Sequence, residues 1–246
     1  VDRAPAWSPF GAMFIGNVVS LSFARLALLR PWGIPVRRAT GRELLSIGGP
    51  LLVSGMGPGG IRYGESLAIR ERIGAASLGY YEAARILTQP INVLALGLLS
   101  AVGPRSMDAG HKRDRILARS WRIRYFTLFL SVAAPVAAFI AWDGPFNPLA
   151  DRFSLAFTVP GLVALAAIRN VAANVSGPWQ SEILGARRQR WLAVIMLLGG
   201  VVDLAALWWL GPIIGIQAAP MVATGVSTLR LAAYVAVMRK IYRTDA

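Results

Sequence analysis

Apolar runs broken by short polar stretches set the pattern of this chain. The runs fall at 10–29, 44–69, 78–102, 121–142, 155–183, 191–210 and 216–238. Each is long enough to cross a bilayer, for which ~20 residues rising ~1.5 Å apiece suffice. The pattern predicts an all-α, polytopic membrane helical bundle of about seven transmembrane helices. The third run, continued to Pro104, departs most from a plain lipid-facing cylinder. Glu82, Arg85 and Gln89 stand at i, i+3 and i+7, so a helix puts them on one face. Pro90 follows and removes a backbone donor, which predicts a kink. A polar stripe with a proline beside it suits the wall of a water-filled or substrate-filled cavity.

The second run is punctuated differently. Pro50, Pro58 and closely spaced glycines interrupt it, and Gly55 with Gly59, like Gly60 with Gly64, have the spacing that lets helices approach closely. Packing glycines and a discontinuous transport helix are both compatible with this stretch. Arg62 and Glu65 follow at i, i+3. In the fourth run Trp121, Tyr125 and Trp142 mark the interfaces, as amphipathic rings do at headgroup level.

Composition agrees with burial in lipid. Of 246 residues, 55% are hydrophobic and 15% charged, and mean hydropathy is +0.53. A water-soluble domain of this length needs far more polar surface. With no cysteine, disulfides, thiolate chemistry and cysteine metal sites are excluded. The single histidine, His111, sits beside Lys112 and Arg113 in a basic connector, so no metal or cofactor is expected. A net charge of +14 raises nucleic acid as a partner, but the charges lie in clusters between apolar runs, which rejects it. Taking the 30–43 linker as the inner side, the loops on that side and the tail hold 17 basic residues. The opposite loops hold four: Arg62, Arg70, Arg72 and Arg152. This bias places the C-terminus in the cytoplasm and the protein in the cytoplasmic (inner) membrane.

Charges inside the runs need partners or water, since each costs at least ~2.5 kcal/mol at the bilayer centre. Counting ~1.5 Å per residue from the outer end of each run, Arg85 and Asp203 lie about 11–13 Å deep, with Glu82 one turn above Arg85. These three form one expected network. Arg169 and Arg230 lie about 21–24 Å deep, level with each other and with no acid at their depth. Two such arginines suit a diphosphate, whose oxygens accept bidentate guanidinium bonds. Snorkelling to the headgroups, or bonding to Asn170, Asn174 and backbone carbonyls, is the other reading.

Two stretches carry a family resemblance: LGYYEAARILTQPINVLALGLLSAVGPRSM from Leu78, and GPIIGIQAAPMVATGVSTLRLAAYVAVMRK from Gly211. They resemble the Leu-Gly-x-Tyr, Ala-x-Arg-Leu, Pro and x-Pro pattern, and the Gly-x-x-Gly-x-x-Ala-Ala turn, of the lipid-linked oligosaccharide flippases. These are the polysaccharide-transporter branch of the superfamily that also holds the multidrug extrusion transporters. The likeness covers about residue 10 to the end. It implies two six-helix bundles around a cationic cavity, of which this chain holds one and a preceding helix. Residues 1–29 would be the last helix of a truncated N-terminal lobe, 30–43 a basic cytoplasmic linker, and 44–246 the C-terminal six-helix lobe. The implied partners are membrane lipid, a lipid-linked oligosaccharide, and the missing lobe or a second protomer. Arg62, Arg85, Arg169 and Arg230 are the expected cavity-lining, substrate-binding positions. Glu65, Glu82, Gln89, Asn170 and Asp203 are the expected polar network.

The expected function is therefore flipping of a lipid-linked oligosaccharide by alternating access. Drug or organic-cation extrusion is the alternative within transporters, opposed by arginines outnumbering acids inside the runs. A non-transporting scaffold of a glycan assembly complex is another. A membrane enzyme is disfavoured, because the inner loops offer only isolated Asp108 and Asp114.

Overall fold

The computed structural model describes residues 59–142, 149 and 153–243. The chain divides into two compact units, 1–46 and 47–246. The first run, the 30–43 linker and most of the second run lie outside the described residues, as do Gly55 and Pro58.

The described part of the second unit is all-helical, with no strand among these residues. Helix α1 covers 59–72, α2 Ala75–Leu87, α3 Gln89–Lys112 and α4 Arg115–Ala141. The short α5 is Ser154–Phe157, followed by α6 Leu162–Val175 and α7 Gly177–Gly185. Two long helices close the chain, α8 Gln189–Ile214 and α9 Ala218–Arg243. Helices α4, α8 and α9 are long and apolar enough to cross a membrane, and α2 with α3 makes a fourth span if counted as one bent pair.

The turns follow from residue chemistry. The expected kink is a break: α2 and α3 meet at 41° around Thr88, with Pro90 in the first turn of α3 where its missing donor costs least. Asp114 caps α4, its side chain accepting from Ile116 N at 3.0 Å and Leu117 N at 2.9 Å. Gly215, with φ +80°, ends α8 in a conformation that favours glycine.

Several helix ends differ from the hydropathy reading. Helix α1 runs on to residue 72, so Arg62 and Glu65 are helical, not loop, residues. Helix α3 continues through Pro104 to Lys112, and α4 starts at Arg115, so most of the supposed basic connector is helical. The fifth run is three helices. Gly161 in the left-handed region (φ +73°) follows Pro160, and Gly177-Pro178 restarts the chain after Ser176.

Packing is through aromatic and small residues. Tyr125 stacks on Phe129 at 5.5 Å between α3 and α4. Ile183, Leu192, Tyr234 and Met238 join α7, α8 and α9. In hydrocarbon such side chains gain nothing by leaving lipid, so close fit decides association. The closest approach is α3 on α7. A Cβ at Gly110 would collide with the Glu182 carbonyl, and one at Gly185 with the Met107 carbonyl. Of the described glycines whose spacing suggests close approach, Gly64 packs on Leu204, 2.9 Å from an added Cβ, whereas Gly59 and Gly60 have nothing within 4 Å. Outward, α8 exposes Leu197, Leu198, Val201, Val202, Trp209 and Ile213, a surface that suits acyl chains. These apolar helices are consistent with a multi-pass membrane protein.

Candidate functional site

Polar groups gather at two levels inside the bundle. At the first, α1 supplies Glu65, α2 Tyr81 and α6 Arg169. Glu65 is 1% exposed. Arg169 Nη2 donates to both of its carboxylate oxygens, at 2.6 and 2.8 Å, a bidentate ion pair. The Tyr81 hydroxyl donates to Glu65 Oε2 at 3.3 Å and accepts from Arg169 Nη1. The guanidinium also lies over the Tyr81 ring, 5.7 Å from its centroid.

This pairing corrects the expectation that Arg169 has no acid at its depth. The reason is the break at Pro160-Gly161. Counted from Leu162, where α6 starts, Arg169 is about 10 Å from the helix end, and Glu65 is equally far from the end of α1. The supposed levels assumed an unbroken fifth helix and a second helix that stopped short of residue 72.

Glu82 and Arg85 pair with each other on α2, and Ser66 Oγ donates to Glu82 Oε1 at 3.1 Å. Arg85 also interacts electrostatically with Arg62 and Arg169. Three of the four expected arginines thus share one neighbourhood with two of the expected acids. Gln89 does not join them. The break at Thr88 takes it off their helix face, and it is exposed at the start of α3. Asn170 has a different job: its Nδ2 donates to Thr88 O at 3.1 Å and Thr88 Oγ1 at 2.9 Å, clamping the break. Asn174 continues the ladder, donating to Asn92 Oδ1 at 2.6 Å.

The second level holds Asp203 on α8 and Arg230 on α9. Both are about 16–18 Å from the helix ends joined by the Gly215 turn, since each lies 11–12 residues in. Asp203 is buried and interacts electrostatically with Glu65, Arg169 and Arg230, linking the two levels and not Glu82 as the depth count suggests. Among the described residues, Arg85 Nη1 and two nitrogens of Arg230 are left without hydrogen bonds. In Arg230 the larger part of the guanidinium is affected. Its Nε and Nη2 are buried with no hydrogen-bond partner, and so is the hydroxyl of Tyr234 one turn on. Gly199 leaves the room: a Cβ there would strike Arg230 Nε. Arg230 and Tyr234 line a cavity of ≈ 450 Å³ with Asn92, Asn174, Gln180 and Ser227.

Sequence reasoning missed Tyr81, Tyr234, Asn92 and Gly199. A tyrosine in an apolar run looks like core. The small residues that admit Arg230 are Gly199 and Gly200, an unbroken pair in a helical run that carries no polar signal. Glu182 was missed as well; it is fully buried and lies 3.4 Å from Arg122 Nε.

No protein-family model, curated protein or solved structure matches the chain.

Proposed function

We propose that this chain is one lobe of a transporter that flips a lipid-linked oligosaccharide across the cytoplasmic membrane by alternating access. In this reading about seven helices span the bilayer, the C-terminus is cytoplasmic, and a second lobe or protomer completes the cavity. The observation that carries the reading is Arg230, a half-buried arginine whose Nε and Nη2 make no hydrogen bond, beside a mainly apolar cavity that holds Asn92, Asn174 and Gln180. Guanidinium donors left without acceptors in low dielectric favour a guest rich in acceptors, while Asp203 offsets part of the charge. A diphosphate accepts two parallel guanidinium bonds, and Tyr234 offers a further donor. Asn92, Asn174 and Gln180 match sugar hydroxyls in their mixed donor and acceptor capacity. Arg62, Arg85 and Arg169 form a second group, in which the Glu65–Arg169 ion pair joins α1 to α6 and hydrogen bonds from Tyr81 and Ser66 join α2 to α1.

The test is export of the glycan in cells whose full-length protein carries Arg230→Ala or Arg230→Lys. Loss of export at unchanged membrane levels is expected for Ala, with weak activity for Lys, which keeps charge but not the fork. Normal export by Arg230→Ala would remove the assignment.

The organic-cation reading gains one observation. Glu65 pairs with Arg169, Glu82 with Arg85, and Asp203 lies level with Arg230, so arginine excess argues less against it. Binding of a cationic dye that is lost in Asp203→Asn would favour that reading.

A further inference from the structure

At the opposite end of the bundle α4, α7 and α9 enclose a second cavity of ≈ 460 Å³, lined by Arg115, Arg122, Arg239, Arg243, Trp179 and Tyr242. The nearby acids are already engaged. Glu182 lies 3.4 Å from Arg122 Nε and accepts from the Tyr242 hydroxyl at 3.3 Å. Asp114 spends its side chain on the first turn of α4. Among the described residues Arg115, Arg239 and Arg243 are in no ion pair. The indole N–H of Trp179, whose ring lies 5.3 Å under the Arg122 guanidinium, is buried without an acceptor. The cavity therefore offers donors from three helices, with Glu182 Oε1 behind it, within ion-pair reach of Arg122 and without a hydrogen bond. It lies where α4 begins and α9 ends, at headgroup depth for helices of this length.

We infer that this cavity binds the phosphodiester headgroup of an anionic phospholipid. Four guanidiniums and an indole N–H complement phosphate oxygens, and basic pockets between membrane helices recognise lipid headgroups in this way. Tyr242 and Trp179 place rings at the level where amphipathic aromatics settle. The inference rests on these helices lying in a bilayer and is independent of what the chain transports.

The test is lipid retention by the full chain in a neutral detergent, read by native mass spectrometry. Phosphatidylglycerol and phosphatidylcholine of equal acyl composition are offered in turn, with inorganic phosphate as a third arm. Preferential retention of phosphatidylglycerol is expected, weakened about fivefold by each of Arg239→Gln and Arg243→Gln. Arg187→Gln with Arg190→Gln, exposed arginines outside this cavity, should leave retention unchanged. Equal retention of the two lipids would overturn the site. So would equal losses from the Arg187 and Arg190 pair, which would mean diffuse surface charge. Inorganic phosphate binding as tightly as phosphatidylglycerol would show a free-anion site and overturn the lipid assignment.

Discussion

The two polar levels inside the bundle answer the same problem in opposite ways. At the Glu65–Tyr81–Arg169 level, the buried acid and base take up each other's charge through a bidentate pair. At the Arg230–Tyr234 level, a guanidinium and a phenol are buried with donors unused. A satisfied ion pair explains itself as structure, because removing either partner strands a charge. Guanidinium donors left without acceptors beside a cavity do not, since Asp203 offsets charge but no described group in the bundle accepts from Nε or Nη2. The comparison teaches where to look for a ligand: at the level whose hydrogen bonds do not close.

The largest effect expected follows from that contrast. Arg169→Met leaves Glu65 as a buried uncompensated acid and should lower stability by about 3–5 kcal/mol. Denaturant unfolding of the purified protein in detergent would measure it. Adding Glu65→Gln should restore most of the loss, because the stranded charge is then gone. Arg230→Met should cost clearly less, because its Nε and Nη2 make no hydrogen bond and only the electrostatic contact with Asp203 goes, while transport is lost. If Arg230→Met destabilised as strongly as Arg169→Met, the two levels would not differ in kind, and the cavity would lose its claim as a ligand site.

A smaller loss is expected at the clamp between the levels. Asn170→Leu removes the two hydrogen bonds that tie α6 to Thr88 at the α2–α3 break, leaving Thr88 its local bonds to Ala84 O and from Ile91 N. About 1–3 kcal/mol should be lost. A relaxed bend should appear as a changed distance between spin labels on α2 and α3. An unchanged distance and stability would mean that Pro90 alone holds the break.

How far the sequence revealed these features depends on what kind of constraint each one is. The Pro90 break was legible because a missing N–H is a covalent fact that no neighbour can alter. The absence of an acid at the depth of Arg230 was a misreading, since Asp203 on the neighbouring helix lies level with it and interacts with it electrostatically. Arg169 was misplaced because depth was counted along an apolar run, and hydropathy runs smoothly through Pro160, Gly161 and Gly177 although the helix does not. The α3–α7 contact could not be read at all. Gly110 and Gly185 look like any other glycines until two helices cross at them. The Gly60 and Gly64 pair is half legible, since Gly64 packs on Leu204 while Gly60 faces open space.

Gly199 sharpens the comparison without removing a charge. Gly199→Ala adds one methyl where Arg230 Nε now lies, so the guanidinium must move away from α8. The cost should be about 1 kcal/mol or less, because the end of a flexible side chain can give way while helix propensity improves. Transport should fall much more than stability does, since a guanidinium displaced by an ångström no longer meets the same oxygens. Equal activity in this variant would indicate that the position of Arg230 is immaterial to the guest.

The smallest effect is expected at Tyr234, and it separates the readings most finely. Its hydroxyl is buried without a partner, so Tyr234→Phe deletes no contact of the empty protein. Stability should be unchanged or slightly higher, within about 1 kcal/mol, since a donor shielded from water is removed. Guest affinity should nonetheless drop by about 0.5–1.5 kcal/mol if the hydroxyl donates to the guest. Titration of the purified protein with a diphosphate-bearing lipid would read that difference. A variant with unaltered affinity and raised stability would mean that Tyr234 is merely an imperfect core residue. Arg230 would then stand as the cavity's single anion contact, too little on its own to select a diphosphate over any other negative group.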